Sequence, residues 1–472
     1  MGAGGQSESR QEWADQAHAR RQAARLSVDG IHAIALTWVD NAGIVRVKAV
    51  PTDRLPHAAR HGVGMSPVFD VFTFDDDITA SPYIAGPDGD LRLVPDLDRI
   101  TPLAAQPGWA WAPADRNTQP GEPHPACQRH FARRMVARAA ERGLELQMGF
   151  ETEWVVMRTG GEANGSPAVE YRGPAYGMTR LVEASDYLRD IVQALRAEEL
   201  TVLQIHPEYA PGQFEISTAA ADPVRAADDL ILARETVRAV SMRHGLQAVF
   251  APSVVTGHVG NGCHLHLSLA QDGVNLFRDG TVEGGGGRRE GGSGPHGMTA
   301  TGESFLAGVY ETLPALLAVG APSPASYLRL QPSRWAGAFH CWGLENREAA
   351  LRFITGPPGE PDAANAEIKC FDAAANPYLT VGSVIAAGLG GLDAELRLPA
   401  PVQGDPAEHS PPVERLPSTL TEATDRFEQS ALLREALGEV LHSAVLAVRR
   451  AEDERFAASS PEEITSATRG RY

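Results

Sequence analysis

The sequence predicts an α+β protein, a small sheet-based domain followed by a larger mixed one, and three observations predict it. The 472 residues exceed what one hydrophobic core normally accommodates, so at least two domains are expected. Ile31 to Val50 alternates apolar and polar residues around Asp40-Asn41-Ala42-Gly43, the pattern of a β-hairpin that opens a small sheet. Beyond a proline-rich stretch from Pro113 to Pro125, which marks the boundary, helical periods and strand runs follow one another.

Taken in order, Ala126 to Arg142 has a helical period that stops at Gly143, and Leu144 to Met157 has strand character. Asp222-Pro223 is an N-cap and first-turn pair. Val224, Ala227, Leu230, Ile231, Val237 and Val240 continue that helix to Gly245. The tract GGGGRREGGSG, Gly284 to Gly294, has no apolar surface to bury, and its glycines lose much entropy on ordering, which predicts a flexible surface insertion. Its two arginines lack the strand-to-helix context of a phosphate loop. A further helix is predicted to begin near Asn376-Pro377. Ser418 to Phe456, with Leu420, Leu432, Leu433, Leu437 and Val440 at helical spacing, predicts packing helices.

A net charge of −18 disfavours nucleic acid as a partner, because such binding needs clustered Lys and Arg. No apolar run approaches a membrane span. Met1 to Arg25 is polar and does not read as a secretory signal, so a cytoplasmic location is expected. Cys127, Cys263, Cys341 and Cys370 form no CxxC pair, which suits a reducing compartment and excludes a Cys-based zinc ribbon. Cys341 follows His340, but neighbours in a strand point to opposite faces, which disfavours a nucleophile and base pair.

The residues that suggest chemistry are Glu151, Glu153, Glu208, Glu215, His264 and Glu367. Five carboxylates and one imidazole in a single pocket would repel one another unless divalent cations neutralise them, and oxygen-rich ligation favours Mg2+ or Mn2+ over zinc. In GFETEWVVM, Glu151 and Glu153 project from one face of a strand about 7 Å apart; a solvated strand face is the alternative, and the flanking Phe150, Trp154, Val155 and Val156 count against it. HPEYAPGQFEIS sets Glu208 and Glu215 on either side of a Pro211-Gly212 turn. In GNGCHLHLSL, alternation puts His264, His266 and Ser268 on one face, a pattern equally open to a structural or zinc role when taken alone. Arg329, Arg347 and Arg352 offer guanidinium groups to phosphate or carboxylate oxygens, or are surface arginines. NAEIKCF sets Glu367 and Lys369 on one strand face.

The order ExE, HPEYAPGQFE, GNGCHLH, SYLRL, ENREAALR, AEIK and ANPYL resembles the glutamine synthetase superfamily over nearly the whole chain, and WVDNAGIVRVKAVP resembles that family's N-terminal β-grasp strands. The resemblance implies a β-grasp domain over residues 26–118 and a catalytic domain over 119–472, the latter a curved antiparallel sheet surrounded by helices. It implies that Glu153, Glu208 and Glu215 ligate a first divalent cation, and that Glu151, His264 and Glu367 ligate a second near the ATP phosphates. His266, Arg347 and Arg352 match nucleotide phosphate contacts, with Ser268 beside them. Arg329 matches the arginine that holds the substrate carboxylate, and Gly260 lies in the loop that touches the amino acid. The implied reaction is phosphorylation of a γ-carboxylate by ATP and attack of a nitrogen nucleophile on the acyl phosphate, with Arg329 and Arg347 in catalytic positions. The implied assembly is a ring oligomer, typically a dodecamer of two stacked hexamers.

Against the family pattern, the flap PGYEAP is here Pro332-Ser333-Arg334-Trp335-Ala336-Gly337, so Trp335 replaces the acid that serves ammonium. The DGSS element is replaced around GMSPVFD, with Ser66 and Pro67. An aromatic wall in place of two carboxylates disfavours a small cation and accommodates a larger amine, as in the γ-glutamyl-amine and γ-glutamylpolyamine ligases that this sequence resembles. On the acid side, Val259 and Ala325 stand where the family has asparagines, Lys369 where it has arginine and Ser253 where it has lysine, which leaves room for an acid other than glutamate. No tyrosine stands near LRLPAP, so adenylylation is not expected. The expected function is an ATP-dependent ligase forming an amide between glutamate, or a related acid, and a primary amine. The alternatives are an authentic glutamine synthetase, with the loop around Asp70 or Asp75 supplying a carboxylate for ammonium, and a noncatalytic scaffold that keeps the ring.

Overall fold

A computed structural model describes residues 4–86, 88–163, 166–278 and 294–472. Helix α1 (Gly4–Val28) precedes the hairpin β1 (Ala33–Val39) and β2 (Val45–Pro51), which pair antiparallel with Val39 opposite Val45. Helix α2 (Leu55–His61), β3 (Val63–Met65), β4 (Leu91–Pro95), β5 (Thr101–Pro102) and β6 (Trp109–Asn117) complete a six-stranded sheet in the order β2-β1-β6-β4-β3, with β5 on β6. β1 and β6 run parallel. Ile34, Leu36, Trp38, Leu93, Ala110 and Ala112 form its core, and Ala23 and Leu26 of α1 join it. The N-terminal unit thus begins ahead of residue 26. The proline-rich boundary also moves: Pro113 lies inside β6, opposite Thr37. A parallel neighbour bonds through every second residue, so the missing N–H of a proline is tolerated there.

The hairpin turn fastens the two parts together. Asp40 caps the turn by accepting from the Ile44 amide at 2.9 Å, and Gly43 has φ +82°. A Cβ at Gly43 would stand 1.8 Å from the carbonyl oxygen of Ala374, so only glycine permits this approach. Asn376 donates from its side chain to the carbonyls of Val39 and Asp40, and Arg449 to that of Asn41.

The larger part begins with α3 (Gln128–Ala140). Its sheet contains β7 (Leu144–Ala163), β8 (Ser166–Val169), β9 (Val202–Pro207), β10 (Gln213–Thr218), β11 (Leu246–Val249), β12 (Cys263–Gln271), β13 (Val274–Asn275), β14 (Phe339–Leu344), β15 (Ala349–Ile354) and β16 (Asn365–Ile368). The order is β14-β15-β16-β12-β7-β10-β9, with β11 and β8 on β7 and β13 on β12, and every pair except β14 with β15 is antiparallel. Around it lie α4 (Met178–Glu183), α5 (Ser185–Ala197), α6 (Pro223–Arg243), α7 (Ala300–Gly320), α8 (Ser326–Arg329), α9 (Pro377–Asp393), α10 (Leu420–Gln429), α11 (Ala431–Leu437), α12 (Glu439–Phe456) and α13 (Pro461–Arg469). The α+β architecture is the one expected. Asp222 caps α6 through the Val224 and Arg225 amides, and Asn376 caps α9. Of the glycine-rich tract, 284–293 lies outside the described residues. Among the described residues no helix is long and apolar enough to cross a membrane.

The loop offered as an ammonium site is otherwise engaged. Asp70 is fully buried, salt-bridged to Arg116 and 3.3 Å from His124, and Asp75 pairs with Arg455. Ser66 caps the turn that follows by accepting from the Val68 amide. Both carboxylates are thus paired with arginines of this chain.

Candidate active site

Side chains on neighbouring strands point the same way when their residues are directly opposed, and this builds the site. His206 on β9 is opposite Glu215 on β10, and Glu215 is opposite Glu153 on β7. One step along, Ser217 is opposite Glu151, and Glu151 is opposite His264 on β12. His266, two residues further, is opposite Glu367 on β16, which in turn faces Arg352 on β15. Six strands therefore aim one polar row at a single face. The reverse face of β7 carries Phe150, Trp154 and Val156, which are buried in the main core.

Three ligand groups form along this row: His206, Glu208 and Glu215; Glu151, Glu215 and His264; and Glu151, His266 and Glu367. His264 Nδ1 lies 3.3 Å from Glu367 and 3.5 Å from Glu151, and its Nε2 lies 3.9 Å from Glu153. His266 Nε2 lies 3.5 Å from Glu151. Glu153 accepts from the Gly262 amide and from Gln213 Nε2, both at 2.8 Å. A fourth group, Asp115, Cys127 and His130, has its carboxylate taken by Arg129 and Arg133.

The electrostatics divide the row. Burial, with Glu215 and Glu208 close by, pushes the Glu153 carboxyl up to about 8, and burial raises Glu215 as well. Burial would raise Glu151 too, but the imidazoles of His264 and His266 overcome it and hold that carboxyl well below the usual range. Glu367 goes down to about 2, because Lys369, His264 and His266 outweigh its burial. Burial and the Lys369 ammonium lower His264 to about 4, so its ring is neutral at pH 7. The hydrogen bond to Glu215 raises His206 to about 9. His264 Nδ1 and His266 Nε2 are buried without a hydrogen-bond partner. The neutral His264 ring amid carboxylate oxygens is part of a donor set that suits a divalent cation, whereas Glu151 and Glu367 outweigh burial at His266 and raise it.

The acid side adjoins this row. Arg329 at the end of α8 donates to the Lys369 carbonyl at 3.0 Å and comes within 3.2 Å of His264 Nε2. Its Nη1 is buried and unpartnered, and the residue lines a cavity of about 80 Å³ with Gly257, Val259, Gly260 and the flap residues Arg334 and Ala336. A Cβ at Gly260 would stand 1.9 Å from the Pro252 carbonyl oxygen, so this wall of the cavity requires glycine. Lys369 is buried with its ammonium 3.0 Å from Glu367.

Of the other residues singled out from sequence, Arg352 is salt-bridged to Glu367 and Glu345 and joins the row. Ser268 is half-buried on the row's face, opposite Gln147. Arg347 is exposed in the turn between β14 and β15. Trp335 is exposed on the flap at φ +54°. Ser253 is bonded to Thr465. All four cysteines are buried and unpaired, and burial pushes the Cys341 thiol up to about 12, which makes it inert.

Two residues that the sequence did not bring forward belong to this face. His206 stands two residues before Glu208, and strand alternation carried back across HPE was the available signal. Tyr176, in the loop before α4, donates its backbone N–H to the Glu208 carbonyl at 3.4 Å, and its ring lies 6.2 Å from that of His206. It sits at φ +54° and is half exposed; no local pattern marked it.

Residues 125–466 match the family described as glutamine synthetase, catalytic domain. The chain is 54% identical over 458 residues, 95% of each chain, to the γ-glutamylpolyamine synthetase GlnA3 of Streptomyces coelicolor. It is 29% identical over 86% of its length to the glutamine synthetase of Pyrococcus abyssi, 87% of which is covered. Among solved structures, one described as a novel glutamine synthase homolog superposes with a TM-score of 0.81 at 32% identity, covering 94% of this chain and 99% of that one. Another, an ADP complex of GmaS, superposes with a TM-score of 0.79 at 29% identity, covering 93% and 96%.

Proposed function

The chain belongs to the glutamine synthetase family, and from that premise we propose that it is an ATP-dependent carbon–nitrogen ligase that joins the γ-carboxylate of glutamate to a primary amine, polyamines foremost. The observation that carries this reading is the row of carboxylates and imidazoles on β7, β9, β10, β12 and β16, with the unpartnered Nη1 of Arg329 at its end. The polyamine assignment draws on the Streptomyces coelicolor relative.

Glu153, Glu208 and Glu215 would hold one cation, and Glu151, His264 and Glu367 the other. When bound, Mg2+ or Mn2+ supplies positive charge that offsets the charge spread over a transferring phosphoryl group. His264 is neutral, and its buried Nδ1, which has no hydrogen-bond partner, faces Glu151 and Glu367 in that second group. Arg329 holds the α-carboxylate of the acid through its unpartnered donor, which fixes the γ-carboxylate against the nucleotide. Arg352 and His266 flank the phosphates, and Arg352 exchanges its bond to Glu345 for a phosphate oxygen. The amine approaches along Glu208 and Tyr176: the carboxylates attract its ammonium form and accept the proton it must lose before it attacks the acyl phosphate. The faces of Tyr176 and Trp335 offer cation–π contact to the rest of a polycation. We place the enzyme in the cytoplasm and in a ring oligomer; β2, the open edge of the small sheet, exposes Val47 as an edge that a neighbour would cover.

Phosphate release with glutamate, ATP and Mg2+ across putrescine, spermidine, ethanolamine and ammonium tests this reading. A polyamine is expected to give the highest kcat/KM, above ammonium by at least about tenfold. Highest activity with ammonium would restore the glutamine synthetase alternative, and no turnover with any amine would favour the scaffold.

A further inference from the structure

The flap that lost its acid at Trp335 has a carboxylate behind it. Glu348, at the foot of β15, is 7% exposed and accepts the Trp335 backbone N–H through Oε1 at 2.8 Å. Its Oε2 is buried without a hydrogen-bond partner. The amide of Glu348 donates in turn to Asn346 Oδ1 at 3.1 Å, and Asn346 is fastened by its side-chain nitrogen to the carbonyls of Val402 and Gly404. The carboxylate is therefore held on a rigid post.

The flap needs such a post. Ser333, Trp335 and Gly337 have φ of +57°, +54° and +71°, and side chains disfavour that region, so two of these three positions are strained and relax unless contacts hold them. On the opposite side the flap is tied by Arg334, which donates to the Gly257 carbonyl at 3.1 Å. Between the two ties lies the cavity lined by Gly260 and Arg329. Gly337 packs tightly beside Ala336 of that lining, since a Cβ there would stand 3.1 Å from backbone atoms of Ala350 and Cys370. Lys369, bound to Glu367 in the ligand row, donates its backbone N–H to the Ala350 carbonyl at 3.0 Å, two residues along from Glu348, so the post stands beside the chemistry.

We propose that Glu348 is a positioning residue that latches the flap over the acid cavity and so sets the indole of Trp335 at the amine's entrance. This rests on the ligase reading given above. The latch uses one carboxylate oxygen as an acceptor, which a glutamine carbonyl can replace and a methyl group cannot.

Hydrogen–deuterium exchange and steady-state kinetics on full-length Glu348→Gln and Glu348→Ala test it. In the wild type, peptides spanning 332–337 are expected to be protected. Glu348→Ala should speed their exchange at least tenfold while peptides of β7 and β12 stay unchanged, and Glu348→Gln should stay within about threefold of wild type. With spermidine varied, KM should rise at least tenfold in Glu348→Ala and recover in Glu348→Gln, with KM for ATP unmoved. Unchanged flap exchange in Glu348→Ala would overturn the latch, as would a rise in the KM for ATP equal to that for the amine. If the wild type turns over no amine, the ligase reading fails, and the exchange data alone still decide whether the latch exists.

Discussion

Glu153→Ala is expected to lower phosphate release by about 10³-fold or more, because it removes a ligand from the cation site where transition-state charge is offset. Glu153 accepts from the Gly262 amide and Gln213, so its carboxylate is fixed before any cation arrives, and alanine leaves the buried Gly262 amide unpaired. Glu153→Gln keeps the shape, loses the charge, and is expected to be nearly as inactive. The same carboxyl makes a pH prediction. In the cation-free protein it titrates at about 8, against an ordinary value of 4.5, so between those values the folded chain holds a proton that the unfolded chain has released. Stability then falls as pH rises across that window. Melting in EDTA should show the wild-type Tm declining from pH 5 to 8 more steeply than that of Glu153→Gln, and added Mn2+ should remove the difference. An equal slope in the two proteins would contradict the burial of this carboxyl beside Glu208 and Glu215.

Arg329→Ala should raise the KM for the acid and lower kcat/KM by about 100-fold, the loss of a buried charge-assisted contact. The KM for ATP should hold. Arg329→Lys should not restore the wild-type value, because an ammonium cannot both keep the bond to the Lys369 carbonyl and present a second fixed donor to the cavity. A rise in the KM for ATP in place of that for the acid would move Arg329 from the acid to the nucleotide.

What the sequence made legible follows from strand alternation. Glu151 and Glu153 on β7, and His264 and His266 on β12, announce a common face by their spacing of two, and the register of one strand against the next then brings them together without long-range information. Glu348 is the opposite case. It reads as one more charge in ENREAAL, and its meaning depends on a flap whose left-handed residues, Ser333 and Trp335, leave no local signature. Tyr176 was silent for the same reason, since its bond to Glu208 joins two loops. Asp70 shows how an isolated acid misleads: a carboxylate in a loop suggests a ligand, whereas its burial against Arg116 makes it part of the frame. Helix α1 was unrecognised because its apolar positions are few, and Ala23 and Leu26 gain their role only from the sheet they cover.

Binding of Mn2+ to the purified chain, counted by electron paramagnetic resonance in the presence of a non-hydrolysable ATP analogue, addresses the convergence of these side chains most directly. Two ions per chain are expected, with Glu153→Ala reduced to one. A wild type that binds no ion, or a Glu153→Ala variant that still binds two, would contradict a paired-cation site on this face of the sheet.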